Sequence, residues 1–194
     1  MEKEVVELVL QKSKDNLQRE RAVATGIGIF IAVMNDKGIL LRRRLQSENQ
    51  SLVSSRATNL AGKWELPGGG VDIGDLTTTR YQDTIYQCAI LECMRRELSE
   101  ETGLQLNDQR LRNDQGVKII NLFPAWLYKP EEGIIDLAFV VALRHGKQTE
   151  ETEEFTQKIN SGKIRFFSIV EIDRPDVEII SKRMRHLINL SFWL

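Results

Sequence analysis

The chain is poor in the residues that staple, break or anchor a fold. Among 194 residues there are two cysteines, two histidines and four prolines. Cys88 and Cys93 lie five apart in a segment read as helical, where they point to different faces and cannot bridge one another. With His145 and His186 far apart as well, the four residues offer no zinc-type spacing. Long apolar runs are also lacking: stretches such as "GIGIFIAVM" at 26–34 fall well short of the roughly 20 residues of a membrane-spanning helix. Nor is there an excess of one charge. Lys and Arg number 27 against 28 Asp and Glu, a net charge of -1, so bulk electrostatics gives no case for a nucleic-acid or membrane partner, and a polyanionic ligand must be met locally. The opening "MEKEVVELVLQKSKDNLQRER" is charged throughout, without an uninterrupted apolar segment of the signal-peptide type. A cytoplasmic protein is the expectation. No internal repeat or low-complexity tract appears.

What remains is an ordinary globular composition, 41% hydrophobic and 28% charged, of a length that suits one domain with an appended helix. Residues 1–21 are expected to form a helical extension and 22–194 the domain. In the extension Val5, Leu8 and Val9 recur at helical spacing, which suits a packing helix or a homodimer contact. Residues 26–34 read as a buried strand, "NDKG" at 35–38 as a turn and "ILLRRR" at 39–44 as a second strand. The polar stretch 45–62 reads as a long loop that runs into "KWELPGGGVDIGD". A helix is expected from about Thr84 to Thr102, closed by Gly103. Strands follow at 117–123, 134–143 and 164–169, and a last helix at 177–190.

The chemistry concentrates in "RELSEETGL" at 96–104. At about 100° per residue, Glu97, Glu100 and Glu101 fall within an arc of roughly 100°, with Leu91, Met94 and Leu98 on the neighbouring face. Three like charges repel one another, and they sit at the helix end where the macrodipole disfavours anions. Stability alone predicts Lys or Arg there. The conflict disappears if a hard divalent cation, magnesium or manganese, is held by the carboxylates together with substrate phosphates. A solvated helix face is the competing account of the acidic run alone. Upstream, Gly68, Gly69, Gly70 and Gly74 lie within seven residues after Pro67, a loop whose backbone can approach a ligand closely. Arg96 is placed to pair with a carboxylate across one turn and fix its orientation.

Together these motifs resemble the Nudix hydrolases. Their signature runs Gly, five residues, Glu, seven residues, then Arg-Glu-aliphatic-x-Glu-Glu-x-Gly-aliphatic. The second half is complete from Arg96 to Leu104, Gly69 takes the glycine position, and the lead-in "WELPGG" from Trp64 is also similar to the family. Two features depart from the pattern. Asp75 stands where the family has Glu, and twenty residues, 76–95, separate it from Arg96. The resemblance implies an α/β fold, an α/β/α sandwich on a mixed sheet, and magnesium- or manganese-dependent hydrolysis of a nucleoside diphosphate linked to another group. It implies Glu97, Glu100 and Glu101 as metal ligands, a Gly68 or Gly69 carbonyl as a backbone ligand, Arg96 as the residue that orients them, and Asp75 as a supporting contact.

The base that takes a proton from water is Glu97, Glu100 or one of Glu150, Glu151, Glu153 and Glu154 in "TEETEEF", a segment otherwise read as a solvated loop. For phosphate, Arg42, Arg43 and Arg44 at the end of the second strand, of which at most two share a face, are candidates, Arg43 and Arg44 foremost, together with Arg80 in the insertion, with plain solvation the alternative. Trp64 and Phe123 suit either base stacking or the core, with core packing favoured. Pro124 is a distant counterpart of the proline seen in ADP-ribose-type members. The small-molecule substrate expected first is ADP-ribose or a nucleotide sugar, and second a nucleoside triphosphate. A catalytically weak nucleotide sensor is the alternative from another class.

Overall fold

The computed structural model describes residues 27–45, 60–71, 75, 85–107, 118–124 and 137–193. In chain order the strands are β1 (Ile27–Asn35), β2 (Gly38–Arg43), β3 (Trp64–Glu65), β4 (Gly68–Gly70), β5 (Gln105–Leu106), β6 (Lys118–Pro124), β7 (Leu137–Arg144), β8 (Thr149–Glu150) and β9 (Ile164–Phe167). The helices are α1 (Ile85–Thr102), α2 (Glu153–Asn160), α3 (Ile169–Ile172) and α4 (Lys182–Ser191).

β1 and β2 form the expected hairpin. The Asn35 side-chain oxygen accepts the backbone N–H groups of Lys37 at 2.9 Å and Gly38 at 3.1 Å, an Asx turn that reverses the chain. Consecutive residues are buried on both strands: Ile31, Ala32 and Val33 on β1, and Ile39, Leu40 and Leu41 on β2. Both faces of these strands are therefore covered, and each large aliphatic side chain contributes about 1.5–3 kcal/mol by leaving water. The sheet order is β3-β2-β1-β7-β6, with β4 on β1 and β9 on β2, while β5 and β8 make a separate two-stranded sheet. The registered pairs β1–β2, β1–β4, β2–β3 and β2–β9 are antiparallel, and a parallel bridge joins Trp64 to Ile179. The α/β class expected from the sequence is the class observed.

Two compact units divide the chain. One comprises Met1–Phe30, Gly68–Glu97 and Ile119–Val141, the other Ile31–Pro67, Leu98–Lys118 and Ala142–Leu194. The chain of β1, of β7 and of α1 passes from one unit to the other.

Two elements differ from the sequence expectation. The last helix begins at Lys182, because Ser181 caps it by accepting the Met184 N–H at 3.1 Å. The residues before it run extended beside Trp64, whose N–H donates to the Glu178 carbonyl at 2.8 Å and whose carbonyl accepts from Ile180 at 3.0 Å. The segment read as a solvated loop, "TEETEEF", instead runs from β8 into α2. Thr152 is its N-cap, Glu153 and Glu154 fill its first turn, and Phe155 is buried. Pro124 ends β6. The expected 1–21 extension, most of the 45–62 loop, Arg80 and Tyr81 lie outside the described residues, as do the side chains of Tyr86, Cys88 and Phe123. Among the described residues no helix is long and apolar enough to cross a membrane.

Candidate active site

In the first unit, the packed face of α1 is formed by Cys93 and Met94, both fully buried, and the side chain of Glu97 is 8% exposed. A carboxylate this deep needs a partner, and Arg96 supplies it: one guanidinium nitrogen lies 2.6 Å from Glu97 Oε1. The same guanidinium meets Asp75 at two points, 3.3 Å from Nε to Oδ1 and 2.9 Å from Nη2 to Oδ2, and donates to the Gly70 carbonyl at 2.9 Å. Arg96 thus ties the glycine loop and Asp75 to the acidic helix. Its partners include the adjacent Glu97 and the distant Asp75. The hydrogen bonds of Asp75 foremost, then the charge of Glu97, raise the Arg96 pKa further above its already high ordinary value. Asp75 is itself buried.

Gly69 explains why glycine is required beside this cluster. A Cβ at that position would stand 2.2 Å from Glu97 Oε1 and 2.7 Å from Oε2, so the carboxylate fills the space that any other side chain would take. Cys93 Sγ lies 3.5 Å from the Gly70 carbonyl, and burial, reinforced by Asp75 and Glu97, pushes its thiol pKa well up. It is a packing residue and not a nucleophile at neutral pH.

In the second unit, Arg42 Nη2 lies 2.6 Å from Glu65 Oε1 and 3.0 Å from Glu101 Oε1. Arg44 Nη1 is 3.2 Å from each oxygen of Glu65. Strand alternation puts Arg42 and Arg44 on one face and Arg43 on the other. Arg43 donates to the Gly62 carbonyl at 2.9 Å and its guanidinium carbon is 5.9 Å from the Trp64 ring centroid. Of the three arginines that end this strand, the two that share a face are Arg42 and Arg44. Trp64 packs edge-on against Phe167, 4.7 Å between centroids, as a core-packing residue does.

The end of α1 carries no basic residue in its last turn. Its carbonyls are satisfied from α2 instead. Lys158 Nζ donates to the Glu100 carbonyl at 2.6 Å, and the Thr152 hydroxyl donates to the Gly103 carbonyl at 2.6 Å while accepting the Phe155 N–H at 3.2 Å. Gly103 has φ of 77°, the left-handed conformation that ends the helix as expected, and a Cβ there would meet the Phe155 nitrogen at 2.5 Å. Glu100 is exposed. Of the later acidic cluster, Glu154 pairs with Lys158 at 2.7 Å, Glu151 lies 3.3 Å from His145 Nε2, and Glu150 accepts from the Asn107 amide.

Sequence reasoning missed Glu65 and Lys158, and read Arg42 only as a phosphate candidate. The helical spacing of Glu154 and Lys158 was available. The partnership of Glu65 with both arginines was not, because it depends on strand register.

Among the described residues no three His, Cys, Asp or Glu side chains converge as a ready-made metal cage. Glu97 and Glu101, one helical turn apart on α1, are each drawn to an arginine. The donors are nonetheless all carboxylate oxygens, and Glu97 sits in a cradle left by a missing Cβ, which fits a hard divalent cation.

The NUDIX domain model matches residues 24–187. The chain belongs to the Nudix family, as a pyrophosphohydrolase. Similar solved structures include a MutT Nudix hydrolase from Burkholderia pseudomallei, at 19% identity over 84% of this chain and 95% of that one, with a TM-score of 0.41. A mutT/nudix family protein from Listeria innocua matches at 19% identity over 89% and 94%, with a TM-score of 0.46. A bifunctional NMN adenylyltransferase/ADP ribose pyrophosphatase from Francisella tularensis, complexed with AMP and a manganese ion, matches at 16% identity over 96% of this chain and 46% of that one, with a TM-score of 0.47. No curated protein matches the chain.

Proposed function

We propose that the enzyme hydrolyses a nucleoside diphosphate linked to another moiety, with ADP-ribose or a nucleotide sugar as first choice and a nucleoside triphosphate as second. Its place of action is the cytoplasm and its cofactor magnesium or manganese. The observation that carries this reading is the last two turns of α1, where three glutamates stand toward the negative end of the helix dipole, with Arg96 on Glu97 and Arg42 on Glu101. Helix stability does not account for such an arrangement, and binding of a cation does.

Glu97 and Glu101 would hold the cation, with Glu100 as a third ligand or as the base and a Gly68 or Gly69 carbonyl as a backbone contact. When bound, a divalent cation neutralises diphosphate oxygens and makes water a usable nucleophile near neutral pH. Arg96 fixes the Glu97 carboxylate against Gly69 and anchors it to Asp75. Glu100 is exposed, so a proton it takes from the attacking water can leave to bulk solvent. The later acidic residues are poorer candidates for the base, since Glu154 is engaged by Lys158 and Glu153 serves the first turn of α2. Arg43, Arg44 and Arg80 are the proposed phosphate contacts, Arg43 being turned toward Gly62 and Trp64.

A nucleotide panel assayed with magnesium in ¹⁸O-labelled water tests the reading. The expected result is cleavage of a diphosphate with ¹⁸O in a phosphate-bearing product. Binding of ADP-ribose without product, across the whole panel, would leave a sensor in place of the enzyme proposed.

A further inference from the structure

The line Arg44–Glu65–Arg42–Glu101 contains two cations and two anions, all with side chains 16% exposed or less. Glu65 lies at its centre and is 5% exposed. Arg42 stands closer to Glu65, at 2.6 Å, than to Glu101, at 3.0 Å, and Arg44 meets both Glu65 oxygens. A buried arginine that loses its only anion is left with a large desolvation cost. Arg42 escapes that cost if it gives up Glu101, because Glu65 still holds it.

We infer that Arg42 is an exchangeable internal counter-cation for Glu101: it neutralises the carboxylate in the cation-free protein and falls back on Glu65 when a divalent cation takes Glu101. Arg42 and Glu65 are therefore positioning residues that set metal affinity. The inference rests on the proposed role of Glu101 as a ligand. It predicts opposite effects from the two ends of one ion pair. Without Arg42 a competitor for Glu101 is gone, so metal binds more tightly. Without the charge of Glu65, Arg42 is drawn more strongly to Glu101, so metal binds more weakly. A purely structural role would loosen the region in both variants and shift both affinities downward.

The test is manganese binding to the substrate-free chain, with free Mn²⁺ counted by electron paramagnetic resonance. Arg42→Met should tighten binding and Glu65→Gln should weaken it, each by up to about fivefold, the range of a partly exposed ion pair. If Glu65→Gln does not fold by circular dichroism, Glu65→Asp serves, since it keeps the charge but withdraws it by one methylene and should weaken binding by a smaller factor. Shifts of the same sign, or none in either variant, would overturn the inference while leaving the metal site intact. A wild-type chain whose Mn²⁺ binding is absent, or indifferent to Glu101→Gln, would overturn the ligand assignment and this inference together.

Discussion

Two acidic helix turns of this molecule look alike in sequence and differ in physics. Glu153 and Glu154 occupy the first turn of α2, behind the Thr152 cap, where the macrodipole welcomes anions. Glu97, Glu100 and Glu101 occupy the last turns of α1, where it repels them. The first pair is accounted for by helix stability. The second set is tolerated because cations meet it: Arg96 of the same helix on Glu97 and, from outside the helix, Arg42 on Glu101 and Lys158 on the Glu100 carbonyl. A carboxylate that stabilises its own helix needs no further explanation, whereas one that must be neutralised by imported charge points to chemistry.

The contrast is broken or sharpened most strongly by neutral isosteres. Glu97→Gln or Glu101→Gln should reduce kcat/KM by roughly 10²–10⁴-fold with the fold kept, whereas Glu153→Gln or Glu154→Gln should change it by less than about threefold. Steady-state kinetics of the four variants decides, and equal losses in both sets would erase the distinction. Next in size is Gly69→Ala. Its φ is not in the left-handed region, so alanine suits the backbone and the added methyl displaces the Glu97 carboxylate instead. A loss of about 10–100-fold in metal affinity, read by Mn²⁺ titration, is expected with little change in Tm.

Smaller still is Lys158→Met, which removes the cation from the end of α1. It should lower stability by about 1 kcal/mol, a fall in Tm of roughly 2–4 °C in a thermal melt for a chain of this length. The smallest effect lies at Glu171, whose carboxylate accepts from the Ser168 N–H at 2.9 Å and from its hydroxyl at 3.0 Å. The backbone hydrogen bond first, then the hydroxyl, lowers its pKa below the ordinary 4.5. Its stabilisation is therefore present above that value and lost as pH falls through the lowered pKa. The Tm advantage of the wild type over Glu171→Gln should shrink across that acid range and stay constant near neutrality.

Legibility in the sequence followed the distance over which each feature is specified. The hairpin at Asn35 and the spacing of Arg96, Glu97 and Glu101 are local, and both were readable from period and turn chemistry. α2 was obscured by its own charge: a row of glutamates drew attention from Thr152 and from the apolar Phe155 and Ile159 behind it. The ion pairs of Arg42 with Glu65 and of Arg96 with Asp75 join residues more than twenty apart, so no local pattern announces them. They arise from strand register and from the placement of Asp75 beside the helix.

The central claim is that the glutamates of α1 serve a divalent cation in the hydrolysis of a nucleotide diphosphate. Its most direct measurement is the turnover of ADP-ribose, followed by chromatography of AMP and ribose phosphate, with magnesium and then with excess chelator. The account predicts turnover with magnesium, none with chelator, and full recovery when magnesium is restored. Turnover undiminished in excess chelator would contradict it.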